Sequence, residues 1–222
     1  MDQQERWYLQ NFSLQDQVIA DVGANVGRLS QFFWDHGKPS CRLVSIEPEP
    51  NNIQAIEARI REAGSDRWTL EACAVSAFAG EITMLDVDTE FGRNSMISDA
   101  GERVVACERL EVLVPDATIV KLDIEGHEYA VLPSAISMLT EVRVWALELH
   151  QAGAHRLEQV LGMLVDHGFT LAGAGRRRDE PSGEWLNAEI SPSLSWDQVP
   201  GMKTRVDGLP GVLKMLHVIA QR

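Results

Sequence analysis

The sequence has only three cysteines, Cys41, Cys73 and Cys107, and no two of them make a CxxC pair. An odd, unpaired set argues against both a disulfide framework and a structural zinc site. No apolar stretch approaches the roughly 20 residues that cross a bilayer. The opening residues, Met-Asp-Gln-Gln-Glu, lack the basic start and apolar run of a signal peptide. The expected compartment is therefore a reducing cytoplasm, with no membrane partner. Basic charge is also scarce: 20 Lys and Arg face 33 Asp and Glu, a formal net charge of -13. Such a surface repels phosphate backbones, so nucleic acid is not an expected partner. The one basic cluster, Arg176-Arg177-Arg178, reads as a solvated loop, with an anionic substrate or partner contact as the alternative. Internal repeats and low-complexity tracts are absent.

What is present is ordinary for a globular chain, with 45% hydrophobic and 24% charged residues. A length of 222 residues is enough for a full core and suggests one domain. Within it, residues 1–17 read as an N-terminal helical extension packed outside the core. Residues 18–175 read as a ligand-binding core, and 176–222 as a C-terminal cap with the last strand. A homodimer is compatible with this layout.

Along the core, strands and helices alternate. Val18-Ile19-Ala20 leads into a glycine loop, and Leu29, Phe32 and Phe33 then share a helical face that ends at Gly37. Leu43 to Ile46 is a second strand, followed by Ile53, Ile56 and Ile60 at helical spacing up to Gly64. A third strand is expected near Trp68 to Val75. Glu81 to Val87 and Arg103 to Arg109 read as an inserted pair of strands. The polar stretch Asp88 to Gly101 between them reads as a mobile loop. Thr118 to Leu122 and Val142 to Leu149 are further strands, each followed by a helix. Phe169 to Ala174 and Leu216 to Ala220 are the last two. Alternation of this kind gives a doubly wound, mostly parallel sheet with a β-hairpin insertion, and ligands bind beyond the strands' carboxyl ends.

Polar clusters fall at those ends. Asp21-Val22-Gly23-Ala24-Asn25-Val26-Gly27 follows the first strand. Its glycines permit unusual dihedrals and close approach, and the next helix offers its N-terminal amides. The pattern is DxGxNxG, not the GxGxxG of a dinucleotide fingerprint. A carboxylate at Asp21 suits a ligand bearing an ammonium or sulfonium better than a pyrophosphate. Glu47, 26 residues on, ends the second strand before Pro48 and is placed to accept both hydroxyls of a ribose. Small residues at Cys73 and Ala74 suit a flat slot for a ring, and Cys73, with no adjacent base, reads as buried and inert. The segment Lys121 to Glu128 is the richest: Asp123, Glu125, His127 and Glu128 lie within six residues, a set costly to bury unless solvated or liganded. With Asp123 and Glu125, Glu148 and His150 at the next strand end make a pocket able to hold Mg²⁺ or Mn²⁺. A plain polar acceptor pocket without metal is the preferred reading.

With these residues in place, the chain resembles the FkbM-type family of class I S-adenosylmethionine-dependent methyltransferases. The resemblance rests on Asp21 to Gly27, Ile46-Glu47-Pro48, Ala74-Val75-Ser76 and Leu122 to Glu128, and covers roughly Val18 to Phe169. It implies a Rossmann-like, seven-stranded sheet whose last strand is antiparallel. It also implies S-adenosylmethionine as cofactor and O-methylation of a small molecule, sugar or natural-product intermediate. By residue, it implies Asp21, Gly23, Asn25 and Gly27 around the methionine part, with Ala24 in the same loop, Glu47 on the ribose, and Asp123 near the sulfonium. The resemblance transfers no catalytic base. A hydroxyl acceptor needs one, and the candidates, in order, are His127, Glu125 and His150. Two rival readings remain: a cofactor-binding partner subunit without catalysis, and a nicotinamide-dependent oxidoreductase, which predicts the missing GxGxxG turn.

Overall fold

The computed structural model describes residues 3–89, 92–150, 157–176, 185–188, 190–194, 204–205, 212–213 and 215–222. Helix α1 (Gln3–Asn11) precedes β1 (Val18–Val22), α2 (Arg28–Gly37), β2 (Arg42–Ile46), α3 (Pro50–Ala63) and β3 (Trp68–Glu71). Then come β4 (Ala74–Val75), β5 (Gly80–Thr89), β6 (Gly92–Ile97), β7 (Arg103–Glu108) and α4 (Leu110–Leu113). The second half runs β8 (Ile119–Leu122), α5 (Glu128–Met138), β9 (Val144–His150), α6 (Leu157–Asp166) and β10 (Thr170–Arg176). It ends with β11 (Trp185–Ala188), β12 (Thr204–Arg205), β13 (Val212–Leu213) and β14 (Met215–Gln221).

The main sheet has the order β11-β10-β14-β9-β8-β1-β2-β3. From β3 to β9 the strands are parallel, whereas β14 runs antiparallel between β9 and β10. This is the expected seven-stranded sheet with an antiparallel last strand. It gains an eighth strand, β11, which pairs with the edge strand β10 and was not legible in the Pro/Gly/Ser-rich tail.

Side-chain alternation along the strands sorts the core into two layers. Ile19, Leu43, Ile119, Val144 and Ile219 face α1 and α2, packing with Tyr8, Phe32, Phe33 and Trp34. Ala20, Val44, Val120, Trp145 and Val218 face α5 and α6, packing with Val131, Leu132, Leu157 and Leu161. Burying a residue such as Phe33 fully stabilises the fold by about 2–3 kcal/mol. The N-terminal helix is thus not an external appendage: Tyr8 and Leu14 are buried members of the first layer.

Two expectations in the middle of the chain are corrected. The strand expected from Trp68 to Val75 breaks at Ala72-Cys73, and β4 leaves the main sheet to join a second one, ordered β4-β7-β5-β6. The stretch read as a mobile loop contains β6, which pairs antiparallel with β5 from Met84↔Ile97 to Thr89↔Gly92. An edge strand needs only one partner, so its polar sequence did not announce it. Phe91, Trp196, Arg177 and Arg178 lie outside the described residues.

Candidate active site

A cleft opens at the carboxyl ends of β1, β2 and β8. Gly23, Asn25, Glu47, Pro48 and Asn52 form one wall. Cys73, Ala74 and Val75 form the other, completed by Met84 and Ile97 from the hairpin. Asp123, Ile124 and Glu125 close one end. Sequence reasoning missed Asn52, Met84 and Ile97; the first sits inside a helix, and the others come from the strands whose placement was not legible. Pro48 is pinned by Arg103, whose guanidinium donates to its carbonyl at 2.9 Å.

The glycine loop is shaped by the chain's own packing. Gly23 and Ala24 donate their N–H groups to the Ile46 carbonyl at 3.0 and 3.1 Å. Gly23 (φ 72°) lies so close to β8 that a Cβ there would stand 1.7 Å from the Asp123 carbonyl oxygen. The missing side chain thus makes room for backbone, not for a ligand. Gly27 (φ 75°) opens α2, and a Cβ on it would press on Ile56 and Arg59 at 3.0 and 3.1 Å. Arg59 in turn holds the loop by donating to the Val26 carbonyl at 2.9 Å. Neither Ala24 nor Gly27 lines the cleft.

Asp21 is placed differently from the expectation. Its carboxylate is fully buried beneath the loop and does not line the cleft. One oxygen accepts from Ser30 at 2.6 Å, and the other lies 3.4 Å from the Lys121 ammonium. Ser45 donates to Ser30 at 2.8 Å, and the Trp68 indole donates to Ser45 at 2.9 Å. Lys121, itself buried, donates to the Gly23 carbonyl at 2.8 Å and approaches Asp123 at 3.7 Å. Burial opposes its charge, but Asp21, Asp123 and Glu148 outweigh that and hold the ammonium above its usual range. The sequence pattern assigns Lys121 no role. The signal for it was a lone cation inside the otherwise apolar strand Ile-Val-Lys-Leu.

Glu47 carries a different load from the one expected. Its Oε2 accepts the Asn25 N–H at 2.8 Å, while Oε1 accepts the Glu49 N–H at 2.9 Å and the Asn52 amide at 3.3 Å. A carboxylate has about four acceptor directions, and the chain's own donors take at least three of them here. Burial nevertheless pushes its carboxyl above the usual range. Cys73 is half-buried, not buried as expected; partial burial, then the nearby Glu71, pushes its thiol up to about 11, far from thiolate chemistry.

At the β8–β9 end the carboxylates crowd. Glu128, the first residue of α5, is fully buried and reaches back with Oε1 to the N–H groups of Ile124 and Gly126 at 3.1 and 3.0 Å. This clasp holds the turn in which Glu125 adopts φ 54°, a costly conformation for a residue with a side chain. The same oxygen meets His150 Nδ1 at 3.1 Å. Burial raises the Glu128 carboxyl, but His150 and the amides outweigh it and hold it below the usual range. His150 Nε2 lies 3.6 Å from Glu125 and 3.7 Å from Glu148, and His217 Nδ1 lies 3.6 Å from Glu148. Burial works against charge on His150, yet Glu128, Asp123 and Glu148 raise it well above an ordinary imidazole. Burial and then Asp123 push the Glu125 carboxyl up to about 7 and that of Glu148 up to about 8.

Of the three candidate bases, only Glu125 lines the cleft. His150 stands behind it. His127 caps α5 and meets the Ser76 hydroxyl at 3.2 Å, away from the cleft wall.

No helix among the described residues is long and apolar enough to cross a membrane. No curated protein matches the chain. Several solved structures share its fold. An FkbM methyltransferase from Methylobacillus flagellatus KT is 20% identical with a TM-score of 0.53, over 82% of this chain but only 44% of that one. A precorrin-6y C5,15-methyltransferase from Geobacter metallireducens GS-15 is 13% identical with a TM-score of 0.51, over 98% of this chain and 86% of that one. A candidate tRNA (m1A22) methyltransferase from Streptococcus pneumoniae, solved with S-adenosyl-L-methionine, is 11% identical with a TM-score of 0.51, over 100% and 73%. At these identities the likeness concerns the fold alone. The model of the FkbM methyltransferase domain matches residues 21–171, more than half of the sequence, and the chain belongs to that family.

Proposed function

We propose that the chain is an S-adenosylmethionine-dependent O-methyltransferase acting on a hydroxyl of a small molecule, such as a sugar or natural-product intermediate. The reading is carried by one continuous cleft that joins the loop wall of Gly23, Asn25 and Glu47 to the acidic end at Asp123 and Glu125. The residues present fit the cofactor. Glu47 is held rigid by three donors and lines the cleft, where a ribose hydroxyl can meet it. Cys73, Ala74, Met84 and Ile97 offer an apolar slot for a flat ring. Asp123 places a carboxylate where positive charge on the methionine part belongs. Asp21 acts at one remove, fixing Lys121 and through it the carbonyls of the loop.

S-adenosylmethionine, when bound, supplies a methyl group on a sulfonium, so that one S–C bond breaks, one O–C bond forms and the hydroxyl proton is released. Glu125 is the group placed to take that proton, since it alone of the three candidates reaches the cleft. The whole chain acts as one domain, with 18–175 as the cofactor-binding core between the N-terminal helix and the C-terminal cap. A net charge of -13 favours a neutral or cationic acceptor over a nucleic acid.

Thermal melting with S-adenosylhomocysteine and with NAD⁺ tests the cofactor: only the former is expected to raise the melting point. Labelled-methyl transfer into a metabolite mixture then tests the reaction. Glu125→Gln is expected to keep the S-adenosylhomocysteine shift and to slow transfer about 10²–10⁴-fold. Stabilisation by NAD⁺ alone sinks the methyltransferase reading; unchanged transfer removes Glu125 as the base.

A further inference from the structure

We infer that Asp123, Glu128 and His150 bind a divalent cation of the Mn²⁺ kind behind the acidic end of the cleft. The inference rests on the methyltransferase reading for the cation's use, but not for its binding. One donor atom from each residue lies within 4.8 Å of one from each of the others. Donors held by one small divalent ion at about 2.1 Å stand at most about 4.2 Å apart, so shifts of a few tenths of an ångström complete the set.

Two atoms point to a missing ligand. Among the described residues three buried carboxylate oxygens have no hydrogen-bond partner: Asp21 Oδ1, which faces the Lys121 ammonium, and Asp123 Oδ1 and Glu128 Oε2, both in this trio. Buried carboxylate oxygens left unmatched are costly and uncommon. Glu128 is fully buried, so solvent does not relieve it. His150 Nδ1 and Glu128 Oε1 are 3.1 Å apart, the spacing of two adjacent donors on one ion. A cation there would take the place of the proton these two atoms share, with the carboxylates of Glu128 and Asp123 as its oxygen donors.

The donor set narrows the choice of metal. One imidazole nitrogen with two carboxylates suits Mn²⁺, Fe²⁺ or Zn²⁺ better than Ca²⁺, which prefers oxygen alone, and Mn²⁺ serves as the probe. The surrounding charge favours it as well. Glu125 and Glu148 stand 3.6 and 3.7 Å from His150, and their carboxylates would be relieved by a cation, against which the Lys121 ammonium, 3.7 Å from Asp123, works. An ion held there would add positive charge behind Glu125 and would favour its carboxylate form as the proton acceptor.

The test uses the full chain, freed of metal by chelation, without cofactor or acceptor. Titration with Mn²⁺, followed by loss of the free-ion EPR signal, is expected to give one ion per chain and a higher melting point. Glu128→Gln and His150→Ala are each expected to weaken binding at least tenfold, as even the loss of a residue behind a ligand does (about 10–100-fold). Pulsed EPR of the wild-type chain is expected to show coupling to an imidazole nitrogen, a readout that survives if a variant does not fold. No uptake at millimolar Mn²⁺, bound Mn²⁺ without nitrogen coupling, or variants that bind as tightly as wild type each overturn the site. Mn²⁺ binding without an S-adenosylhomocysteine shift retires the methyltransferase reading and leaves the site standing.

Discussion

Both ends of the cleft are built from carboxylates set at strand ends beneath a helix, yet they treat charge in opposite ways. At the loop end, Asp21 accepts from Ser30 with one oxygen, while the other has no hydrogen bond and faces only the Lys121 ammonium. Glu47 has three donors, so each carboxylate there has a donor or a cation from the chain itself. At the β8–β9 end, Glu125, Glu128 and Glu148 converge on one histidine, and oxygens of Asp123 and Glu128 have no hydrogen-bond partner. Polar networks that are fully matched rigidify a fold, whereas unmatched ones cost stability. The loop end, with donors for Glu47 and a cation beside Asp21, is therefore the better matched scaffold of the two. The other end holds crowded charge in reserve, and such charge is relieved when a proton or cation arrives.

Breaking the better matched end should be severe. Gly23→Ala forces a Cβ to within 1.7 Å of the Asp123 carbonyl at φ 72°, so β1 and β8 must separate. The expected loss is about 4 kcal/mol or more by urea unfolding, at the exceptional end for single substitutions. Gly64→Ala is the control. Its φ is also positive, at 61°, but nothing lies within 4 Å of the added atom, and about 1 kcal/mol is expected. Equal losses at both positions would mean that dihedral strain alone, and not the approach of β8, governs the loop.

The second largest effect tests the charge balance under the loop. Lys121→Met leaves Asp21 buried without its cation and the Gly23 carbonyl without its donor, at an expected cost of about 3–5 kcal/mol. The double variant Asp21→Asn, Lys121→Met should recover part of it, and the cycle measures the coupling. A single-variant loss below about 1 kcal/mol would contradict a matched network.

How much of this was legible follows the same division. The glycine loop, Glu47 and the strand alternation were readable because each depends on local pattern: a turn that needs positive φ, an acidic residue after an apolar run, and the period of the side chains. The role of Asp21 was not, since it depends on Lys121, 100 positions away in β8, and on Ser30 in the first turn of α2. Strand β6 escaped because an edge pairing asks little of its sequence, and β11 because the tail around it carries turn-forming residues. His127 drew attention as a base because it sits in a dense motif, but a motif does not fix direction. The turn held by Glu128 sends Glu125 to the cleft and His127 to Ser76.

The smallest effect, and the one with the opposite sign, is expected at Glu148. Its carboxylate makes only long contacts, 3.7 Å to His150 and 3.6 Å to His217, while Asp123 and Glu125 stand close enough to raise its pKa. Glu148→Gln keeps the shape and removes one of the converging acids. Urea unfolding of the metal-free chain should show no loss, or a gain of up to about 1 kcal/mol, because replacing a crowded buried charge by a neutral isostere is commonly neutral or favourable. Lys121→Met and Glu148→Gln alter residues of the same charged cluster, so a shared destabilisation would mean that the two ends are one network. Opposite signs would mean that the chain has balanced one end and left the other to its ligands.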